Sequence, residues 1–277
     1  MEIERDKVEK PLRRLRKALK RFPTDPSSGE VHSLRTNARQ LEAIVDALML
    51  DSKKKTRQML KSVAPVRKAA GDVRDMDVLV SHVLALSGND GDDSLVRLAE
   101  HLGERRVESA RDLSQTVAAK RKAARRSLKQ YAQLVGKEFD GKKRILAKAE
   151  PVAAELVTEL TDWPELSAEN IHPFRIKVKR LRYMLQLAKS SDPKIMDDLG
   201  RVKDLVGDWH DWQELAKIAK SVLDPQEDGL ALQKIDEIGN RKFKDALTRA
   251  NAARKKYFSN GWDGRKRERN PRSQSSR

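Results

Sequence analysis

Residues 31–48 read VHSLRTNARQLEAIVDAL, and residues 171–188 read IHPFRIKVKRLRYMLQLA. In both stretches the apolar residues recur every three or four positions, which is the period of an amphipathic α-helix. Both also carry a histidine at the second position, followed by basic residues at intervals of three or four. The sequence therefore contains two versions of one basic helix, with 140 positions between corresponding residues.

Two later pairs of segments match in the same order. GDVRDMD at 71–77 corresponds to GDWHDWQ at 207–213, and GERR at 103–106 corresponds to GNRK at 239–242. Both pairs are separated by 136 positions, so a single four-residue difference in one connection accounts for all the matches. Chance similarity between amphipathic helices could give one such match. Three matches in order predict a tandem repeat.

Helical periodicity continues through the rest of the chain, and no strand-like alternation appears. We therefore predict an all-α protein built from two repeats of about four helices each. The first repeat is assigned to residues 1–139, the second to residues 140–258, and a disordered basic tail to residues 259–277. Pro65 is expected to bend or interrupt the third helix. The first predicted helix ends at residue 22, the second covers about 30–50, and the third passes Pro65 and ends at residue 86. The remaining helices are predicted at about 95–139, 144–160, 170–189, 195–222 and 230–257.

A narrow basic stripe lies beside the apolar stripe of the repeated helix on a helical wheel. Seven positions along a helix cover about 10 Å, so such a stripe is long enough to meet several phosphate groups. Like charges four residues apart are mildly destabilising, so a compensating anion is the simplest explanation of their duplication. For one copy alone, a solvated face would be the simpler interpretation. The stripe contains His32, Arg35 and Arg39 in the first copy and His172, Arg175, Lys179 and Arg182 in the second.

The composition supports a polyanionic partner. The 277 residues include 59 Lys and Arg against 42 Asp and Glu, which gives a formal net charge of +17. There is no cysteine, and this excludes disulfide frameworks, thiolate metal sites and cysteine nucleophiles. No apolar run approaches the ~20 residues of a membrane span, and the first residues lack the apolar core of a secretory signal. We expect a cytoplasmic protein without a membrane partner.

The histidines and carboxylates near the stripes admit other functions. A metal site would need carboxylates or further histidines around them, but their helical neighbours are Arg and Lys, which repel cations. Acid–base catalysis would need a nucleophile or a repeated carboxylate pair, and neither is evident. We therefore predict no metal, no cofactor and no catalytic residue. The carboxylates of the two GD segments are expected to orient Arg and His side chains, and the paired Gly71 and Gly207 to permit close helix packing.

The start of the second basic helix leaves two alternatives open. In the first copy Ser27 and Glu30 have the spacing of a capping box, and Ser167 stands at the matching place in the second. A helix that begins there would place Pro173 beyond the first turn, where proline removes a hydrogen bond. Either Asn170 is the true N-cap, or the helix bends at Pro173.

These motifs resemble the CHAD family, the conserved histidine α-helical domain. The resemblance rests on VHSLRTNAR and IHPFRIKVKRLRY, each followed by a segment of the kind AAGDVRDMDVL or LVGDWHDWQEL, and it covers residues 5–258. It implies two helical-bundle halves related by pseudo-twofold symmetry around a basic central cleft. That cleft is implied to bind inorganic polyphosphate without enzymatic activity, and some family members are associated with polyphosphate granules.

The expected function is therefore non-enzymatic binding of inorganic polyphosphate, in the cytoplasm or on polyphosphate granules. The alternative is a nucleic-acid-binding helical protein, which the charge and the basic tail favour and to which the basic run at residues 120–129 could contribute. Scarce aromatic residues for base stacking argue against it, and a solvated face is the simpler interpretation of the run. A phosphohydrolase would need metal-binding carboxylates in the cleft. The predicted polyphosphate-binding residues are His32, Arg35, Arg39, Arg67, Arg74, Arg105, His172, Arg175, Lys179, Arg182, Lys203, His210 and Arg241.

Overall fold

A computed structural model of the protein describes residues 4–48, 50–87, 92–140, 143–188 and 191–259. These ranges contain eight α-helices and no β-strand, which confirms the predicted all-α class. Apart from Ser259, the predicted tail lies outside the described residues. The helices are α1 (Arg5–Lys20), α2 (Ser28–Ala47), α3 (Lys54–Ser87), α4 (Asp93–Asp140), α5 (Lys143–Thr161), α6 (Ile171–Leu187), α7 (Pro193–Val222) and α8 (Gly229–Tyr257).

Four of these helices lie in each predicted repeat. The predicted boundary between residues 139 and 140 falls at the last residues of α4. Helix α3 runs without a break through Pro65, so this proline does not interrupt it. In the described ranges, no helix combines the length and the apolar character that crossing a membrane requires.

The two basic helices begin in different ways. Helix α2 starts with the expected capping box, in which the Ser27 hydroxyl accepts from the Glu30 amide and the Glu30 carboxylate accepts from the Ser27 amide. Helix α6 starts after Asn170, whose side chain accepts from the Ser167 amide at 3.0 Å. Pro173 is then the third helical residue, where the amide would have no intrahelical partner anyway. Asn170 is therefore the N-cap.

Helices α3 and α4 form one antiparallel hairpin, and α7 and α8 form another. In the first, the Ser62 and Ser127 hydroxyls lie 2.6 Å apart. In the second, Lys220 pairs with Asp236 at 2.8 Å, and Tyr257 donates a hydrogen bond to Asp198 at the other end. These contacts fix the register of each hairpin.

Two hydrophobic cores hold the hairpins and the remaining helices together. The larger core draws on both predicted repeats, with Leu34 of α2 and Phe174 of α6 fully buried in it. The smaller core joins the tips of the two hairpins and includes Leu95 and Trp212. Helix α2 packs against α6, and α3 packs against α7. These contacts bring helices of the two predicted repeats together.

Candidate functional site

The packing of α2 against α6 brings the two basic stripes together. Lys179 of α6 lies among the cationic side chains of Arg35, Arg39, Arg175 and Lys203, which come from three helices. Two histidines of α6 and α7 adjoin this group, and Arg67 of α3 adjoins Arg39. We refer to the whole set as the basic cluster: Arg35, Arg39, Arg67, His172, Arg175, Lys179, Lys203 and His210.

Burial and mutual repulsion strain the charges of this cluster. Removal from water, together with the four neighbouring cations, lowers the pKa of Lys179 to about 7. Burial likewise lowers the pKa of Arg39, with Arg35 and Arg67 adding repulsion, and burial lowers the pKa of Arg175. An anion placed among these groups would relieve the repulsion.

Carboxylates offset part of the charge. Asp75 lies 3.4 Å from a terminal nitrogen of Arg35, and Asp211 lies near Arg175. Burial raises the pKa of Asp211 to about 6 although Arg175 opposes the shift, and burial also raises the pKa of Asp75. Glu42 also lies near Arg39 and Asp204 near Arg175. The six Arg and Lys side chains of the cluster still outnumber these four carboxylates. The contact between Asp75 and Arg35 agrees with the expectation that carboxylates of the GD segments orient arginines.

The two histidines of the cluster are in contact, with ring centroids 4.5 Å apart. Burial lowers the pKa of His172, and His210, Arg175 and Lys179 lower it further. Burial also lowers the pKa of His210. Both rings are therefore mainly neutral at pH 7, and each carries one N–H donor. The sequence repeat does not show this pair, because the counterpart of His210 in the first repeat is Arg74.

Several buried nitrogen atoms of the cluster have no hydrogen-bond partner among the described residues. They include Nε of Arg35, Nε of Arg39 and Nδ1 of His172, whereas Nε of Arg67 has Glu42 at 2.5 Å as an ion-pair partner. Buried polar groups in proteins are nearly always paired, so such a set calls for an explanation. All three lie where the stripes converge, and acceptor oxygens of a bound anion would satisfy the two arginine donors.

The paired glycines admit arginine side chains. A Cβ atom added to Gly207 would lie 2.6 Å from Nη2 of Arg175, and one added to Gly71 would lie 3.7 Å from Nε of Arg35. The expectation of close helix–helix packing is therefore corrected: the group that approaches each glycine is the guanidinium of the preceding basic helix. Arg175 is fixed there by a hydrogen bond from Nε to the Lys203 carbonyl at 2.9 Å. At Gly71 the corresponding guanidinium of Arg35 approaches less closely, at a distance that a Cβ atom would tolerate.

Three other predicted residues lie at the edges of this arrangement. Arg67 forms an ion pair with Glu42 at 2.5 Å, and Lys203 forms one with its neighbour Asp204 at 2.5 Å. Arg182 donates from Nε to the Met196 carbonyl at 3.2 Å. The same Nε lies 3.3 Å from the point where a Cβ added to Gly200 would be. These side chains are partly neutralised or tied to the backbone.

The remaining four predicted residues also lie outside the basic cluster and form no hydrogen bond or ion pair with it in the described part of the chain. His32 is exposed in the second turn of α2, and its Nε2 lies 3.5 Å from the Thr36 hydroxyl. Arg74 is half-buried on α3, and Arg241 is exposed on α8. Arg105 lines a cavity of about 360 Å³ whose other charged residues, including Asp75, are all carboxylates.

One residue of the site escaped the sequence analysis. The ring of Tyr183 lies 5.7 Å from Nζ of Lys179, and burial raises the pKa of its phenol. A protonated phenol is a neutral donor for a phosphate oxygen. Its position four residues after Lys179, on the same helix face, was the available signal. The corresponding residue of the first repeat is Ala43, so the repeat itself did not point to it.

Over the described ranges, no three His, Asp or Glu side chains are arranged so that they could hold a metal ion. Asp208, one of the carboxylates repeated between the GD segments, instead lies 2.8 Å from Lys242 and 3.6 Å from His82. His82, which has no counterpart in the other repeat, also stacks on Trp212 with centroids 4.6 Å apart. This contact ties α3 to α7.

Comparisons with known proteins agree with this architecture. The fold is similar to a crystal structure of the CHAD domain from the plant Ricinus communis. The superposition covers 90% of this chain and 88% of the plant chain, with a TM-score of 0.57 and 16% sequence identity. No curated protein matches significantly. The family model for the CHAD domain matches residues 6–220, from α1 to the end of α7. The chain therefore belongs to the CHAD domain family.

Proposed function

We propose that this protein binds inorganic polyphosphate in the basic cluster and does not catalyse its hydrolysis. The observation that carries the proposal is the convergence of both basic stripes on one half-buried site with more cations than carboxylates. The resemblance to the CHAD family points to the same ligand. On this proposal the protein acts in the cytoplasm or on polyphosphate granules.

The donors of the cluster suit a chain of phosphate groups. Arg35 and Arg39 on α2 lie close enough to Lys179 on α6 to lower its pKa, so cations from both helices are available to one linear anion. Ionised donors form the stronger, charge-assisted hydrogen bonds with phosphate oxygens. Tyr183 and the two histidines add neutral donors beside them. A ligand with closely spaced charges uses all of these groups at once.

Competition binding tests the proposal. Long-chain polyphosphate, pyrophosphate and single-stranded DNA are compared at matched phosphate concentration and at physiological salt. We expect polyphosphate to bind most tightly, because bulk charge alone does not distinguish polyanions whereas a site for closely spaced phosphates does. Equal affinity for polyphosphate and DNA, with equal dependence on salt, would show a generic basic surface and contradict the proposal.

A substitution of Gly207 tests whether polyphosphate binding depends on the position of the Arg175 guanidinium. Replacing Gly207 with alanine should lower polyphosphate affinity about tenfold or more, because the new methyl group displaces a guanidinium whose bond to phosphate contributes about 1.5–3 kcal/mol. The fold should be as stable or more stable, since alanine is favoured over glycine inside a helix by about 0.8–1.0 kcal/mol. Isothermal titration and thermal unfolding measure the two effects.

Gly103 provides the matched control. It lies inside α4, and a Cβ added there meets nothing within 4 Å. Gly103→Ala should therefore raise stability and leave affinity unchanged. If Gly207→Ala binds polyphosphate as well as Gly103→Ala does, the position of the Arg175 guanidinium is unimportant for binding.

A further inference from the structure

The outer face of the α3–α4 hairpin carries a second concentration of positive charge. No acidic residue occurs in residues 52–71 or 113–137. Six exposed basic residues lie on the helix faces opposite the buried residues. We call them the α3–α4 basic surface: Lys54, Lys61, Lys68, Lys122, Arg126 and Lys129.

The hairpin geometry makes these six residues one surface. The contact between the Ser62 and Ser127 hydroxyls places the two acid-free stretches side by side in opposite directions. Both helices turn their buried residues toward the same core, so their exposed stripes face the same side. From Lys54 to Lys68 the stripe is about 21 Å long, and packed helices lie roughly 8–10 Å apart. The result is two parallel rows of cations.

These charges are uncompensated. Within the described residues, none of the six forms an ion pair or a side-chain hydrogen bond. At the corresponding place in the second repeat, residues 189–204 contain four aspartates, and one of them, Asp198, is bound by Arg249, Lys256 and Tyr257. In this part of the second repeat, the same helical arrangement contains basic residues paired with a carboxylate. The excess in the first repeat is not a requirement of the architecture.

We propose that the α3–α4 basic surface binds double-stranded nucleic acid through its phosphate backbone, without reading sequence. Two rows of cations at this separation match the phosphates that border a groove about 12 Å wide. The face offers no stacking platform for unpaired bases, since Tyr131, the aromatic residue of these stretches, is fully buried. It also exposes no large apolar side chain that would insert into a lipid surface. Both features favour a duplex.

The test compares two variants with equal loss of charge. In the first, Lys61, Lys68, Lys122 and Arg126 are replaced with Gln. In the control, Lys194, Arg201, Lys244 and Lys255, which are exposed in the second repeat, are replaced with Gln. Binding of a fluorescent DNA duplex of mixed sequence is measured over a range of salt concentrations, and polyphosphate affinity is measured in parallel.

We expect the first variant to lose duplex affinity at least tenfold at about 100 mM salt. The magnitude of its log–log salt slope should fall by roughly 3 to 4, because each lost phosphate contact removes about 0.9. The control should bind the duplex nearly as well as the original protein, and both variants should keep their polyphosphate affinity. Equal loss of duplex binding in both variants would overturn the proposal, since net charge would then explain it.

Three further outcomes would also overturn it. Loss of polyphosphate binding in the first variant would make this surface part of the polyphosphate site. Tighter binding of single-stranded than of double-stranded DNA would contradict recognition of a duplex backbone. Binding of vesicles of anionic lipid that is lost in the first variant, with no binding of the duplex, would identify a membrane surface as the partner.

Discussion

Replacing Arg35 and Arg175 together with alanine should lower polyphosphate affinity by several hundredfold or more. Each arginine is expected to supply a charge-assisted contact worth about 1.5–3 kcal/mol. The two side chains hold corresponding places in α2 and α6 and interact electrostatically at the centre of the basic cluster. The double variant should remain folded, since it also removes like charges that repel each other in the free protein. Titration calorimetry and thermal unfolding with and without polyphosphate measure both effects.

Arg111 and Arg201 are the matched control for this experiment. They are exposed, one in each predicted repeat, and in the described part of the chain neither forms an ion pair. Their double substitution by alanine removes the same charge and should change affinity little. A comparable loss in the control would show that net charge alone drives binding. Unfolding of the Arg35 and Arg175 variant would assign those residues a structural role.

Polyphosphate affinity should fall as the pH rises above 7. Burial and neighbouring cations lower the pKa of Lys179 to about 7 in the free protein, and a bound polyanion would raise it again. Binding above pH 7 therefore takes up nearly one proton, and affinity falls by up to about tenfold per pH unit. His172 and His210, whose pKa values are also lowered, extend the dependence below pH 7.

Substitution of Lys179 by arginine separates its charge from its titration. The variant should bind polyphosphate at pH 7 as tightly as the original protein, or more tightly, and lose most of the pH dependence between pH 7 and about pH 9. Calorimetry in buffers with different ionisation enthalpies counts the protons taken up. An original protein whose affinity is constant over this range would refute the assignment of Lys179.

The same shift has a defined effect on the stability of the free protein. Because folding lowers the pKa of Lys179 from 10.5 to about 7, the unfolded chain binds more protons between these values. The contribution of Lys179 to the free energy of unfolding therefore rises with pH across this interval. Asp211 acts in the opposite sense. Its pKa is raised from 3.8 to about 6, so its contribution falls as the pH rises from about 4 to 6.

Sequence patterns alone predict the fold class and most of the helix boundaries. Apolar residues at intervals of three and four give one buried face per helix, and this signal is local, so it can be read without knowledge of the neighbours. The repeated segments likewise identified Arg35 and Arg175 as equivalent residues. The capping box at Ser27 could also be predicted, because it depends on two residues three positions apart.

Which of the basic residues meet depends on how the helices pack. Arg35, Lys179 and Lys203 converge because α2, α6 and α7 pack together, whereas Arg105 and Arg241, which the repeat marks equally, face other surroundings. The contact between His172 and His210 depends in the same way on how α6 lies against α7. Repetition shows equivalence between two positions, but it does not show which side of a helix a neighbour covers.

Two further features depend on contacts between residues distant in the sequence. The role of Gly207 could not be inferred from its helix, because the group that fills its missing side chain is an arginine of another helix. Of the α3–α4 basic surface, the sequence patterns marked only the run at residues 120–129, for which a solvated face was the simpler interpretation. This run and the exposed lysines of α3 are far apart in the sequence. Their register in the hairpin joins them, because charge density on a surface is a property of packed helices and not of either helix alone.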